Sequence, residues 1–333
     1  MSKMLNVAVI GTGAMGKNHA RVYSMLDSVH LAAVCDINKK AANALAREYH
    51  ARAYSDIDEL LKKEKLDAVS ICVPTILHKE TALKCIEKRI HILVEKPIAT
   101  NKEEAKEIIK AAKKNAVTVA VGHIERFNPV IIELKKRIVN NELGRILKVH
   151  CQRLSLFPQR IIDVGVVIDL AIHEIDILRY LIDSKIRRVY AETGQCFHQS
   201  NEDLLIGTIR FENDVVGVIH ANWLTPKKVR EIAITGEKGM FVANYLTQEL
   251  YFYEKKYVGN VADYSKEFIR GTEGKKINIK IERQEPLMNE LKAFVGSILG
   301  NKKPPVTAEE GMEALIVAQR LLESAKKNKV MTL

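Results

Sequence analysis

The chain has 333 residues, 47% of them hydrophobic and 28% charged, which excludes a disordered or low-complexity protein and is length enough for two domains. No apolar run reaches the ~18 residues of a membrane span, and MSKMLNVAVIG enters a strand at once, so the expectation is a cytoplasmic protein without a membrane partner. The formal charge of +11 raises nucleic-acid binding, but the lysines alternate with glutamates in KKEKLD, NKEEAKEIIKAAKK and ESAKKNK. That is the pattern of solvated helix faces, so no nucleic acid is expected; the surplus charge suits an anionic substrate instead.

In chain order, strand Leu5–Ile10 leads to helix Gly16–Met25, and strand Leu31–Cys35 to helix Lys39–Tyr49. Strand Asp67–Val73 leads to helix Lys79–Lys88, strand Ile90–Val94 to helix Lys102–Asn115, and Val117–Val121 is the next strand. Short apolar strands between helices of ten or more residues are βαβ units, and right-handed crossovers wind them into a parallel sheet. The pattern then changes. Pro129–Leu143 reads as a helix, Ile146–Leu154 as a strand and Ile168–Ile182 as a helix. Six segments follow with strand character: AETGQCFH, LLIGTIRF, VVGVIHANW, VREIAITG, GMFVANY and ELYFYE. Residues 256–276 are polar and read as a mobile loop, and helices Leu287–Ile298 and Ala308–Lys327 close the chain, the second opened by a capping box of Thr307 and Glu310.

The fold class is therefore α/β. A Rossmann-type doubly wound parallel sheet occupies residues 1–123. An α/β domain with a large open, mostly antiparallel sheet occupies residues 124–333, its C-terminal helix able to pack back on the first domain. An open sheet face asks for a cover, and a second copy in a dimer or tetramer is the expected one. The five cysteines, Cys35, Cys72, Cys85, Cys151 and Cys196, are odd in number and form no C-x-x-C. They read as reduced, buried thiols, with no disulfide framework and no metal site expected.

Gly11-Thr12-Gly13-Ala14-Met15-Gly16 directly follows a strand and opens a helix. Gly11 permits the tight turn, Gly13 lets backbone approach a pyrophosphate, and Gly16 lets the helix pack on the strand, while the helix N-terminus points N–H groups at the phosphates. Asp36 ends the second strand, where a carboxylate accepts from the adenine ribose and repels a 2′-phosphate, so NAD is the expected cofactor. Two further strand ends, Val73–His78 with Pro74, Thr75 and His78, and Glu95-Lys96-Pro97, fall on the same crevice. Arg126 in GHIERFNP is a further candidate for cofactor or substrate, and Asn128 either contacts substrate or caps the next helix.

Lys96, at a strand end, could stabilise an alkoxide. Asp169 and His173 stand four apart on one helix face in VVIDLAIHEIDILRYL, with Asp176 three further on. Charged groups in such a helix are costly unless they line a cavity, and a histidine there is a natural proton acceptor. Lys96, His173 and Asp169 are thus the catalytic candidates.

GTGAMG, VPTILH, EKP and D-x-A-x-H-x-x-D, in that order, resemble the Gfo/Idh/MocA oxidoreductase family over nearly the whole chain. The resemblance implies hydride transfer between NAD(P) and a sugar or cyclitol hydroxyl, with Lys96 as the EKP lysine and Asp169 and His173 as the helix pair. Ala171 stands where many members have glycine. Within the family, GHIERFNP and FPQRIIDVGVVIDLAIHEID are most similar to UDP-N-acetylglucosamine 3-dehydrogenases. That implies NAD-dependent oxidation of the sugar 3-hydroxyl to a 3-keto sugar nucleotide, which an aminotransferase would carry toward diamino sugars and glycans. Lys96, Asn128, Arg153, Arg160, Asp169 and His173 would then meet the UDP-sugar. The same resemblance leaves open a dehydrogenase of another UDP-aminosugar or of a polyol, and an NAD-using glycosidase. A silent cofactor-binding regulator fits less well, because it has no use for Lys96, Asp169 and His173.

Overall fold

A computed structural model of the protein describes residues 4–157, 164–198, 200–255 and 274–333. The chain forms two compact units, Met1–Phe127 with Glu285–Ile316, and Asn128–Gln284 with Val317–Leu333.

The first unit alternates strands and helices: β1 (Leu5–Ile10), α1 (Ala14–Ser24), β2 (Val29–Cys35), α2 (Lys39–Glu48), β3 (Arg52–Tyr54), α3 (Ile57–Lys63), β4 (Ala68–Ile71), α4 (His78–Glu87), β5 (His91–Glu95), α5 (Lys102–Asn115) and β6 (Val119–Gly122). All pairings are parallel, in the order β3-β2-β1-β4-β5-β6. Strand order reverses between β1 and β4, which opens the crevice at their carboxyl ends. The strands are apolar because both faces of the sheet are covered; Leu5, Val7, Ala8 and Val9 are fully buried. Side chains start the helices: Asn38, Asp56 and Asn101 accept from the backbone N–H of Ala41, Glu59 and Glu104. β3 and α3 lie outside the elements expected from the sequence. A three-residue strand and a seven-residue helix are too short for a period to register.

Two later segments belong to this unit. Helix Pro286–Leu299 sets Leu287, Leu291, Phe294 and Val295 into one cluster with Ala20 and Tyr23 of α1. Burying such side chains is worth roughly 1.5–3 kcal/mol each. Residues 306–311 lie along β6, where Val121 N–H donates to Val306 and Ala120 bridges Thr307. The capping box forms: Glu310 N–H donates to Thr307 Oγ1 at 3.2 Å and Thr307 N–H to Glu310 Oε2 at 2.9 Å.

The second unit holds α6 (Pro129–Val139), β7 (Ile146–Leu156), a π-helical turn (Val167–Ala171) running into α7 (Ile172–Ile182), and then β8 (Ile186–Gly194), β9 (Leu204–Phe211), β10 (Val216–Asn222), β11 (Leu224–Gly236), β12 (Gly239–Asn244), β13 (Glu249–Glu254), β14 (Lys276–Ile279) and β15 (Met331–Thr332). They make one sheet, ordered β14-β13-β12-β11-β7-β10-β9-β8-β15. It is mixed: β7 and β10 are parallel, and the other pairings are antiparallel. Alternation is clear in β9, where Leu205, Ile209 and Phe211 are buried while Ile206 is about half exposed. The expected strand AETGQCFH stops at Gly194. There the buried Asp203 carboxylate takes the N–H groups of Cys196, Phe197 and His198 at 2.5–3.0 Å and folds the segment into a loop. Of the expected 256–276 loop, residues 256–273 lie outside the described residues, and Lys276 already belongs to β14. No described helix is long and apolar enough to cross a membrane.

Candidate active site residues

The glycine loop is built as its three glycines require. Gly11 has φ +93°, and a Cβ there would lie 2.5 Å from the Cys72 carbonyl oxygen. A Cβ on Gly16 would lie 1.8 Å from the Gly11 oxygen. Gly13 is different: nothing lies within 4 Å of where its Cβ would stand. It is the N-cap of α1, with no side-chain cap and no acidic residue in the first turn. The exposed surface over Gly13 and Ala14 therefore offers helix N–H groups and room for a diphosphate. This is a cradle that a side chain would fill, and NAD fits it.

Asp36 faces the same loop. Its Oδ2 accepts from Thr12 N–H at 2.7 Å and Thr12 Oγ1–H at 2.9 Å, and its Oδ1 accepts from Asn38 N–H at 2.8 Å. The carboxylate is thus fixed beside the loop while its Oδ1 keeps a lone pair for a ribose. Ile37 follows it at 91% exposure, and Ile76, just beyond β4, is 73% exposed. Both could pack on flat rings of a dinucleotide. Their signal in the sequence is faint, an apolar residue directly after a strand end.

At the ends of β4 and β5 the predicted residues separate into different tasks. Pro74 is exposed and Thr75 half-buried. His78, expected to meet cofactor, is buried, with Nδ1 2.8 Å from the Pro97 carbonyl oxygen and Nε2 2.9 Å from that of Val73. Both ring nitrogens face backbone carbonyls, and the buried ring ties the two loops together. Burial lowers its pKa, against the opposing effect of the two carbonyls. Lys96 is half-buried and precedes Pro97 through a cis peptide.

Glu95 is buried and carries a set of partners that the sequence did not announce. Its Oε1 lies 3.0 Å from His19 Nε2; His19 Nδ1 lies 2.9 Å from Ser70 Oγ, and Ser70 Oγ lies 2.8 Å from the Tyr23 hydroxyl. Burial alone would raise the Glu95 pKa; the hydrogen bond from His19, with Lys96 and His78 nearby, brings it below the ordinary carboxylate value. His19, Cys72 and Glu95 also bring possible ligand atoms within 4.8 Å of one another. Burial, then Glu95 and Glu290, push the Cys72 thiol well up, so it is a protonated and poor ligand there.

In the second unit, Asp169 sits in the π-helical turn and His173 at the start of α7. The turn's wider hydrogen-bond spacing means that four residues fall near one full turn in either geometry, so the two stay on one side. Ile168, Asp169 and His173 are partly exposed, whereas Leu170, Ala171, Ile172, Glu174 and Asp176 are buried. Such single-turn π segments recur at functional sites.

Three other predicted residues have partners within their own units, and a fourth lies outside the described residues. Arg126 is buried, and its guanidinium pairs with Glu310 at 2.8 Å within the first unit. Asn128 caps α6 by accepting from Val130 N–H and donates to the Tyr245 carbonyl. Arg153, expected to meet a substrate anion, is buried in the second unit. Its Nε donates to Glu174 Oε1 at 2.5 Å, and Tyr245 OH donates to Glu174 Oε2 at 3.1 Å. A buried carboxylate needs such a partner, and Arg153 serves that need. Arg160 lies outside the described residues.

The glycine loop, the Asp36 carboxylate and the 3-2-1-4-5-6 sheet define an NAD-binding oxidoreductase. Residues 5–123 match the model of the oxidoreductase family with an NAD-binding Rossmann fold, and residues 131–242 match the Gfo/Idh/MocA C-terminal domain. The chain belongs to the Gfo/Idh/MocA family. It is 25% identical to the myo-inositol 2-dehydrogenase of Thermotoga maritima over 98% of each chain. It is 29% identical to the UDP-N-acetylglucosamine 3-dehydrogenase of Acidithiobacillus ferrooxidans over 75% of this chain and 77% of that one. The solved structure of the latter enzyme superposes with a TM-score of 0.86 at 24% identity, covering 97% of this chain and 98% of that one.

Proposed function

We propose that the protein oxidises the 3-hydroxyl of UDP-N-acetylglucosamine to the 3-keto sugar nucleotide, with NAD as the hydride acceptor. The observation that carries this reading is the 29% identity to the Acidithiobacillus ferrooxidans enzyme across three quarters of the chain. The positive balance of +11 suits a substrate that bears a pyrophosphate. In this reading His173 accepts the hydroxyl proton, Lys96 donates to the developing alkoxide, and Asp169 beside His173 biases its charge. Asp36 and the Thr12–Gly16 backbone hold the cofactor. The product is a ketone next to an amide-bearing carbon, and a transaminase is the class of enzyme that would consume it. A second copy laid over the outward face of the nine-stranded sheet, where Ile206 is exposed, completes the assembly as a homo-oligomer.

A polyol substrate is the second reading, favoured by the myo-inositol 2-dehydrogenase match over 98% of each chain. Purified protein is incubated with NAD and either UDP-N-acetylglucosamine, myo-inositol or glucose 6-phosphate, with a ketone trap to draw the uphill oxidation forward. The first should give NADH and a trapped 3-keto product fastest. Faster turnover of myo-inositol would establish the polyol reading. Release of a free sugar without net NADH would establish a hydrolase.

A further inference from the structure

The buried chain behind Glu95 has a direction. Tyr23, Ser70 and His19 are fully buried and Glu95 nearly so. An anionic carboxylate only accepts, so His19 Nε2–H must donate to it across the 3.0 Å contact. If the ring is neutral, Nδ1 accepts from Ser70 O–H, and Ser70 Oγ in turn accepts from Tyr23 O–H. Every proton in the chain then has an acceptor. If the ring were an imidazolium, Nδ1–H would donate to Ser70 Oγ, and one of the two buried hydroxyl protons, that of Ser70 or that of Tyr23, would have no acceptor among the described residues. The hydrogen-bond arithmetic therefore favours a neutral ring, so His19 itself does not cancel the Glu95 charge.

The surroundings are fitted to that carboxylate. A Cβ on Gly122, at the end of β6, would lie 3.0 Å from Glu95 Oε1 and 3.1 Å from Oε2, so a side chain there would crowd it. Glu95 ends β5, the middle strand of the β4–β6 half of the sheet. The β1–β3 half carries the glycine loop and Asp36, so the β4–β6 half takes the nicotinamide nucleotide. The oxidised nicotinamide ring bears a positive charge and the reduced ring none.

We propose that His19 is a positioning residue that acts through Glu95, holding its carboxylate as a fixed negative charge under the nicotinamide half of the cofactor site, and that this charge shifts the balance of binding toward oxidised NAD. Ser70 and Tyr23 fix the tautomer of His19. The charge acts at a distance through a poorly screened interior, so its removal should weaken NAD+ roughly 3- to 30-fold more than NADH.

The test is binding, measured apart from turnover. Dissociation constants for NAD+ and for NADH are obtained by calorimetry or fluorescence titration for the unmodified protein, Glu95→Gln, His19→Leu and His19→Gln. Glu95→Gln should lower the ratio of the NADH constant to the NAD+ constant by the factor above. His19→Leu should shift it in the same direction by less, and His19→Gln, which can still donate to Glu95, should restore at least half of that loss. Should Glu95→Gln fail to fold, the two His19 variants carry the same comparison, and a structural defect would weaken both cofactor forms alike. Equal weakening of NAD+ and NADH in Glu95→Gln, or a His19→Gln no better than His19→Leu, would overturn the proposal. These readings concern the cofactor alone, so they stand or fall independently of the sugar substrate.

Discussion

Gly13 and Gly16 both belong to the nucleotide fingerprint, yet the structure gives them opposite responses to alanine. Gly13 has φ −66° and ψ −166°, a conformation open to any residue, and its Cβ would meet nothing within 4 Å. Alanine is a poorer N-cap than glycine by up to about 1 kcal/mol. The stiffer unfolded chain returns roughly 0.4–1 kcal/mol. The fold should therefore change by less than about 1 kcal/mol, a melting shift of at most ~4 °C. The methyl does occupy the space that a diphosphate needs. An overpacked methyl costs ~1–3 kcal/mol, and 1.4 kcal/mol is tenfold in affinity, so Gly13→Ala should weaken NAD roughly 5- to 150-fold. In Gly16→Ala the new carbon would stand 1.8 Å from the Gly11 oxygen, so the loop must move, and melting temperature and affinity fall together. Thermal melts and calorimetric titration with NAD read both quantities. A Gly13→Ala protein that binds NAD normally would refute the placement of the diphosphate. One that melts like Gly16→Ala would refute the reading of the loop.

Asp36→Ala should weaken NAD and improve the relative use of NADP, because it removes the carboxylate and releases Thr12 N–H and Oγ1–H; equal kcat/KM for NAD and NADP in the unmodified enzyme would count against the assignment. Arg153→Ala should cost about 3–5 kcal/mol in urea unfolding, since it strands the buried Glu174 carboxylate. The double variant Arg153→Met with Glu174→Leu should recover much of that loss, and failure to recover any would deny the pairing. For Asp203, burial opposes ionisation, but the N–H groups of Phe197, His198 and Cys196 bring its pKa below the ordinary value. A depressed folded value adds stability above the unfolded value of ~3.9 that is lost as pH falls through the folded one. The deficit of Asp203→Asn in urea should therefore be largest at neutral pH and shrink in acid; a deficit independent of pH would refute the charged cap.

The parts of this molecule legible in the sequence are those in which each residue meets its own neighbours. The five long βαβ strands are dominated by apolar residues, the GTGAMG loop directly follows β1, and the Thr307–Glu310 box closes within one turn. Local chemistry determines each of these. What was not legible depends on which residue the fold brings across. Arg153 is as suited to a pyrophosphate as to a carboxylate, and only the packing of β7 against α7 gives it to Glu174. Asp169, Glu174 and Asp176 share one apolar helix, and the sequence marks all three as costly; burial separates the inward pair from Asp169. His19 stands three residues past Gly16 with no motif to mark it, and Glu95, with which it bonds, lies 76 residues away. The end of β8 at Gly194 was hidden likewise, because it depends on the Asp203 carboxylate reaching back to Cys196. The helix was readable from Ile168 onward, but not its π-helical first turn, which the apolar period does not distinguish from an α-turn.

Asp169 and His173 remain on the open side of that π-helical turn, and Lys96 follows the buried Glu95; the chemistry proposed for them divides in a testable way. Oxidation of an alcohol removes a proton from oxygen as hydride leaves the adjoining carbon. An alcohol is a weak acid, so a base for the proton and a positive charge for the alkoxide each lower the barrier. His173 can serve as the base and Lys96 as the charge. The roles can also be exchanged, because a lysine beside an oxidised nicotinamide is pressed to release its proton. Proton transfer by a positioned group contributes ~10²–10⁴-fold. Lys96→Ala and His173→Ala should therefore each lower kcat by about that factor while the dissociation constant of NAD stays within a few-fold. The pH profile assigns the roles. A base must be unprotonated to act, so kcat/KM falls on the acid side as the base takes up its proton. Replacement of the base removes that acid limb, whereas replacement of the charge lowers the whole curve and leaves the limb in place. The proposal gives the first behaviour to His173→Asn and the second to Lys96→Met; the reverse pattern would exchange their roles. Near-normal kcat in both alanine variants would remove the pair from the mechanism.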